Sequence, residues 1–231
     1  MALKAPQKDN DYSANSVIMP FEHTDDFYID PLGEIGKKPI YSFIKRIFDL
    51  VASGLAMIVL AIPMLIIAAA VKLDSPGTVL YRQERLGLNG KKFSIIKFRS
   101  MYMDAEAQGA QWSRGYSDKR ITRVGATLRK TRLDELPQLL NIFAGQMSLV
   151  GPRPEREVFY NEFEKYIHGF KERLKVKPGL TGFAQVSGGY NLKPEEKIIY
   201  DIEYIKRRSV FFDLKIILKT VKVVFTHDGA K

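Results

Sequence analysis

Residues 50–71, "LVASGLAMIVLAIPMLIIAAAV", run for 22 positions without a charge, and no other stretch limits the fold so sharply. One straight helix of that length would be about 33 Å long, enough to cross a hydrocarbon core of about 30 Å. The run lies too deep in the chain for a signal peptide. Two features speak against a plain crossing. Pro63 cannot donate to the Val59 carbonyl, so it bends the helix and leaves a first arm, 50–62, of about 20 Å. Lys37, Lys38, Lys45 and Arg46 precede the run and Lys72, Arg82 and Arg85 follow it. Positive flanks mark the cytoplasmic side. A re-entrant hairpin broken at Pro63 returns both flanks there, whereas a kinked crossing leaves one basic flank outside. Both readings stand, and the hairpin accounts better for the charge.

The net charge of +10 is unevenly spread. Residues 1–40 carry seven acids against four lysines, a net of −3, so the remainder carries +13. A basic body suits a polyanionic partner: nucleic acid, anionic lipid or a phosphorylated substrate. There is no cysteine, which removes thiolate metal sites, disulfides and thiol nucleophiles. His23, His168 and His227 lie far apart without metal-ligand spacing. Nucleophilic and acid–base chemistry therefore falls to carboxylates, lysine or tyrosine.

The sequence predicts an α+β fold, mostly helical: a small β-hairpin or sheet with packed helices, plus the membrane helix–break–helix. Three units follow: a poorly ordered tail (1–40), the re-entrant hairpin (41–73), and a cytoplasmic domain with a C-terminal interfacial helix (74–231), which the resemblance given below implies to be catalytic. Asn89-Gly90 between "VLYRQERLG" and "KKFSIIKFRSM" signals a β-hairpin, and alternation puts Lys97 and Arg99 on one face. Helices are predicted over 123–131, 136–144, 155–168 and 194–207, the second ended by Gly145. The third would carry Phe159, Phe163, Tyr166 and Ile167 on one face. "MSLVGPRP" reads as a short strand leading into an extended loop, where Pro152 and Pro154 pin the backbone around Arg153. "KPGLTGFAQVSGG" (177–189) is loop-rich. In "SVFFDLKIILKTVKVVF" (209–225), Ser209 suits an N-cap, and Lys215, Lys219 and Lys222 line one side of a broad apolar face. That pattern fits a helix lying in the membrane interface or a core helix with a solvated stripe.

"RLDELPQLL" (132–140) places Asp134 and Glu135 before a proline and an apolar run. Acids are common at helix starts, so an ordinary helix N-terminus explains the pair as readily as catalysis does. Basic residues cluster near the turns: Lys97 and Arg99; Arg123, Arg129 and Arg132; Arg153 and Arg156. Arginine's planar fork suits a diphosphate. RNA binding is disfavoured by the membrane segment and by the lack of any RNA-module motif, and there is no Gly-rich P-loop.

The chain resembles the bacterial sugar transferase family, the monotopic phosphoglycosyl transferases. "KRIFDLVASGLAMIVLAIPMLI" (45–66), "FSIIKFRSM" (93–101), "RITRVGATLRKTRLDELPQLLNIFAGQMSLVGPRPE" (120–155), "VKPGLTGFAQVSG" (176–188) and "YDIEYIKRRSVFFDLKIILKT" (200–220) carry the resemblance. It implies transfer of a sugar-1-phosphate from a UDP-sugar to undecaprenyl phosphate with release of UMP. This is a first membrane step of exopolysaccharide, capsule or glycoprotein glycan assembly. The implied nucleophile is Asp134, forming a phosphosugar–aspartyl intermediate, and Asp134 with Glu135 would hold Mg²⁺. Arg129 and Arg153 match phosphate-binding positions and Lys97 and Arg99 the basic strand, with Arg156 following on the "GPRP" loop. The resemblance also implies the bacterial inner membrane, with the catalytic domain on its cytoplasmic face. It is to the minimal catalytic form, without a multi-spanning N-terminal region.

Two departures stand out. "QVSGGYN" has Gly189 and Tyr190 where many relatives have arginine and asparagine, and Phe183 replaces a common tryptophan. Galactose, glucose and N-acetylated sugars all stay open, with a lean to a neutral hexose from the first departure. The expected partners are the UDP-sugar, undecaprenyl phosphate and inner-membrane lipids, with no nucleic acid; a dimer is compatible with the sequence. A basic lipid-surface adaptor without catalysis is the alternative.

Overall fold

The computed structural model describes residues 26–107, 118–188 and 192–226. Its long apolar run forms two helices, α1 (Pro39–Val59) and α2 (Ala61–Asp74), bent by 63°. The bend centres on Leu60 rather than on Pro63. Leu60 donates to the Ala56 carbonyl and accepts from Met64 N–H, so hydrogen bonding continues on either side of the break. Pro63 falls in the first turn of α2, where its missing N–H costs nothing. The absent donor to Val59 is the cause, and the chain gives way three residues earlier. Among the described residues no single helix is long and apolar enough to cross a membrane; the bent pair is, by length and composition.

The hairpin is joined to the body along one face. Ala56, Met57 and Leu60 pack on Phe93, Ile95, Leu139, Ile142 and Met147, while Met64, Ile67 and Ala68 pack on Val71, Phe98 and Leu128. Arg46 donates to the Ile142 and Phe143 carbonyls, both at 2.8 Å, at the C-terminal end of α4 (Leu139–Phe143), where a helix's last carbonyls need partners. Buried Asp49 accepts from Leu149 N–H at 2.9 Å. The other faces leave Phe43, Ile47, Val51, Leu55, Ile58, Ile62, Leu65 and Ile66 exposed. An apolar patch of this kind marks a contact surface, and a lipid phase suits it.

Strands β2 (Leu80–Leu86) and β3 (Lys92–Phe98) form the expected hairpin, antiparallel with Tyr81 opposite Lys97. Its turn uses Asn89 and Gly90 at φ 55° and 73°, the left-handed region these residues tolerate. The remaining sheets are pairs: β4 (Ser148–Val150) runs parallel to β6 (Gly179–Thr181), and β1 (Phe27–Tyr28) runs parallel to β5 (Ile167–His168). The β1 pairing, together with Leu32 N–H donating to Glu172, ties residues 26–32 of the segment read as tail to the body.

Helix α3 (Arg123–Thr131) begins where Thr122 Oγ1 caps Gly125 N–H, and α7 (Pro194–Arg207) begins on its proline; both match the predicted spans. Two other helices differ. The predicted 155–168 helix is α5 (Glu157–Phe163) only, after which the chain turns into β5. Phe159, Phe163, Tyr166 and Ile167 are nevertheless all buried in the main core. The predicted 136–144 helix starts earlier, as a 3₁₀ turn over Leu133–Gln138 that leads into α4. The 177–189 stretch also contains β6 and α6 (Phe183–Ser187). Helix α8 (Val210–Thr226) meets both descriptions of the C-terminal stretch: Phe212 and Ile216 enter the core, while Phe211 and Leu218 stay exposed. Ser209 Oγ caps it by accepting from Phe212 N–H.

Candidate active site

Helix α3 ends at Thr131, and Arg132 adopts a left-handed conformation, φ 59°. This is uncommon outside glycine and asparagine. It reverses the chain so that the 3₁₀ turn starts at once, with Glu135 N–H bonded to the Arg132 carbonyl. Asp134 and Glu135 thus sit inside a first turn rather than ahead of a helix at Leu136. Both are 7% exposed.

The two carboxylates have opposite surroundings. Arg153 reaches both oxygens of Glu135 through its two terminal nitrogens, and Lys97 Nζ donates to Oε1 at 3.2 Å. Burial opposes ionisation of Glu135, but Arg153 and then Lys97 outweigh it and hold the carboxyl well below the usual range. Asp134 accepts no hydrogen bond among the described residues. Burial pushes it up to about 6, with Glu135 reinforcing the rise and Lys97, Arg129 and Arg153 opposing it. Neighbouring acids whose environments drive their protonation apart are a common arrangement for two different tasks.

The predicted basic residues divide into three groups. Lys97 and Arg153 touch Glu135. Arg129, whose Nε donates to Ser100 Oγ at 2.9 Å, acts on Asp134 through its charge. Gly125 permits that approach, since a Cβ there would lie 2.1 Å from the Ser100 carbonyl. Arg99 and Arg156 do not join the carboxylates. Arg99 is buried and donates to the carbonyls of Val71, Ser75 and Pro76 and to Ser75 Oγ, closing the C-terminal end of α2. Strand β3 ends at Phe98, so alternation no longer dictates where Arg99 points. Arg156 donates to Glu106 at 2.9 Å.

The "GPRP" loop is held from beneath by charges that the sequence did not single out. Arg173, 4% exposed, pairs with Asp201 at 2.6 Å and donates to the Arg153 carbonyl at 3.0 Å. Arg85 pairs with Glu155 at 2.9 Å. Tyr204 Oη donates to the Val150 carbonyl at 3.2 Å. In sequence these arginines look like any solvated ones; only the fold reveals that they are buried. Gly189 and Tyr190 lie outside the described residues.

Among the described residues no group of three or more His, Cys, Asp or Glu side chains is arranged for a metal ion. A Mg²⁺ ion needs only one or two carboxylates when phosphate oxygens complete its shell. Among the described residues Asp134 meets no N–H donor and Glu135 Oε2 accepts only from Arg153, so both fit that requirement.

Residues 40–227 match the family model for bacterial sugar transferases. A UDP-N-acetylgalactosamine–undecaprenyl-phosphate N-acetylgalactosaminephosphotransferase of Aeromonas hydrophila is 41% identical over 210 residues, which cover 90% of this chain and 49% of that protein. A UDP-glucose:undecaprenyl-phosphate glucose-1-phosphate transferase of Escherichia coli K12 is 40% identical, covering 87% and 44%. One of the same description from Caulobacter vibrioides is 44% identical over 192 residues, covering 80% and 71%. The chain spans about half the length of the first two. It belongs to the bacterial sugar transferase family.

Proposed function

We propose that this family member transfers a sugar-1-phosphate from a UDP-sugar to undecaprenyl phosphate, releasing UMP. The observation that carries the reading is the division between Asp134 and Glu135: one carboxylate is free of hydrogen bonds and the other is locked by two cations. An Asp134 oxygen attacks the β-phosphorus, the bond from that phosphorus to the bridging oxygen breaks, and UMP leaves with the electron pair. An oxygen of the lipid phosphate then attacks the same phosphorus and returns the Asp134 carboxylate. Attack by an anion on a diphosphate needs nearby positive charge. Lys97, Arg153 and Arg129 supply it, and Glu135 keeps the first two in place. Mg²⁺, held by Asp134 and Glu135, would neutralise phosphate oxygens when bound.

The exposed faces of α1, α2 and α8 support a monotopic placement in which the site meets a lipid phosphate at the interface, on the cytoplasmic face of the inner membrane. The basic flanks at both ends of the hairpin support that side. Relatives named for different sugars support the reaction class, not one sugar.

The test is UMP release from a panel of UDP-sugars with undecaprenyl phosphate and Mg²⁺. Wild type should release UMP and become labelled by the sugar phosphate, and Asp134→Asn should do neither. Full activity in that variant would remove Asp134 as nucleophile. Failure of wild type with every sugar would leave the lipid-surface adaptor.

A further inference from the structure

The β2–β3 hairpin presents a second surface beside the carboxylates. Directly opposed residues on antiparallel strands project to the same face, and the register sets Tyr81 opposite Lys97, the lysine that reaches Glu135. The Tyr81 residue stays 39% exposed, and the ring stacks on no other ring among the described residues. It is nonetheless held. Gln83 Nε2 donates to Tyr81 Oη at 2.9 Å, Arg85 donates to Gln83 Oε1 at 2.6 Å, and Arg85 is tied to half-buried Glu155. Next to this ladder Arg156 donates to Glu106 Oε1 at 2.9 Å, and Gln83 Nε2 reaches the same oxygen at 3.4 Å. Burial, then the Glu106 charge, raises the Tyr81 hydroxyl above its ordinary value, so it remains a neutral phenol.

An exposed aromatic ring that is fixed in place is a stacking platform. Its edge carries an arginine and a carboxylate only partly committed to each other: Arg156 has further N–H donors, and its bond and that of Gln83 both fall on Glu106 Oε1. Uracil is flat and offers two carbonyl acceptors on either side of one N–H donor, which complements that edge. We propose that Tyr81 is the platform for the uracil base of the sugar nucleotide, fixed by Gln83 and bordered by Arg156 and Glu106. The inference rests on the transferase reading and adds a base subsite to it. The diphosphate then runs from Tyr81 past Lys97 to Asp134, and Arg156 serves the base rather than the phosphates.

The test uses the full chain in lipid nanodiscs. Binding of UMP and of inorganic pyrophosphate, which lacks a base, is measured for wild type, Tyr81→Phe and Tyr81→Leu. Loss of base stacking should weaken UMP binding to Tyr81→Leu about 5- to 150-fold, with pyrophosphate binding within about 2-fold of wild type. Tyr81→Phe keeps the ring and should stay within about 3-fold. KM for the UDP-sugar should rise in parallel with little change in kcat, as for uniform binding. Unchanged UMP binding in Tyr81→Leu, or equal loss of UMP and pyrophosphate, overturns the inference. The two readings separate cleanly. Turnover with an unchanged KM in Tyr81→Leu removes the subsite and keeps the transferase. Base-dependent UMP binding in a chain that turns over no UDP-sugar does the reverse.

Discussion

Arg153 places its two terminal nitrogens on the two oxygens of Glu135, so the neighbour of Asp134 is fixed in its ionised form. Removing Arg153 leaves the buried Glu135 charge on Lys97 alone. Arg153→Met should therefore destabilise the fold by about 1–3 kcal/mol and lower UMP release by at least about 100-fold. Arg153→Lys, which cannot form the fork, should recover part of the stability and little of the activity. Chemical denaturation and single-turnover UMP release check both.

Asp134 is strained in the opposite sense. Its folded pKa, about 6, lies above its ordinary value of 3.8. The native state thus binds this proton more tightly than the unfolded chain, and stability contributed by the protonated form is lost as pH rises from about 4 through 6. Asp134→Asn should be more stable than wild type at pH 7.5, by on the order of 1–3 kcal/mol, while losing activity. The excess should vanish near pH 4. Denaturation curves across that range measure it.

The same proton sets the rate. An aspartate nucleophile must be ionised, so kcat/KM should climb about tenfold per pH unit below pH 6 and level off above it. The free-enzyme midpoint should shift upward in Lys97→Met, because Lys97 opposes the rise in Asp134. Initial rates of UMP release between pH 5 and 8 settle this.

Arg99 has a structural task. Arg99→Met removes donors to three buried acceptors at the end of α2, on Val71 and Ser75, and each acceptor left unsatisfied costs about 1–3 kcal/mol. The variant should unfold at clearly lower denaturant concentration, yet its folded fraction should keep KM for the UDP-sugar within about 3-fold. A selective rise in KM would return Arg99 to the phosphate site.

The bend at Leu60 makes a prediction about sides. Single cysteines at the exposed positions Lys38 and Thr78, which bracket the helix pair, should react with an impermeant thiol reagent from the cytoplasmic face only. Reaction of one of them from the periplasmic face would mean that the pair crosses.

What could be read in the sequence was local. The spans of α3 and α7 were visible in the pattern and the hairpin in Asn89-Gly90, because each signal acts within a few residues. The bend was also legible, in cause though not in position. The pairing of β1 with β5 was hidden, since it joins residues about 140 apart that carry no strand periodicity. The site was half legible. The acid pair and "GPRP" stood out as motifs, but the different fates of Asp134 and Glu135 depend on which cations the fold brings to each. Arg173 and Asp201, buried beneath Arg153, left no mark on the sequence at all.

The polar anchors of α1 also impose an order in time. Arg46 and Asp49 find their partners 96 and 100 residues later in the chain. At about 5–20 residues per second, the hairpin emerges several seconds before Ile142 or Leu149 exists. Through that interval a buried-to-be carboxylate and guanidinium must wait in water or at the lipid surface. On the monotopic placement proposed above, the rest of the chain is completed on a helix pair already at the lipid surface, and a fragment without residues 39–74 would lack a wall of its core.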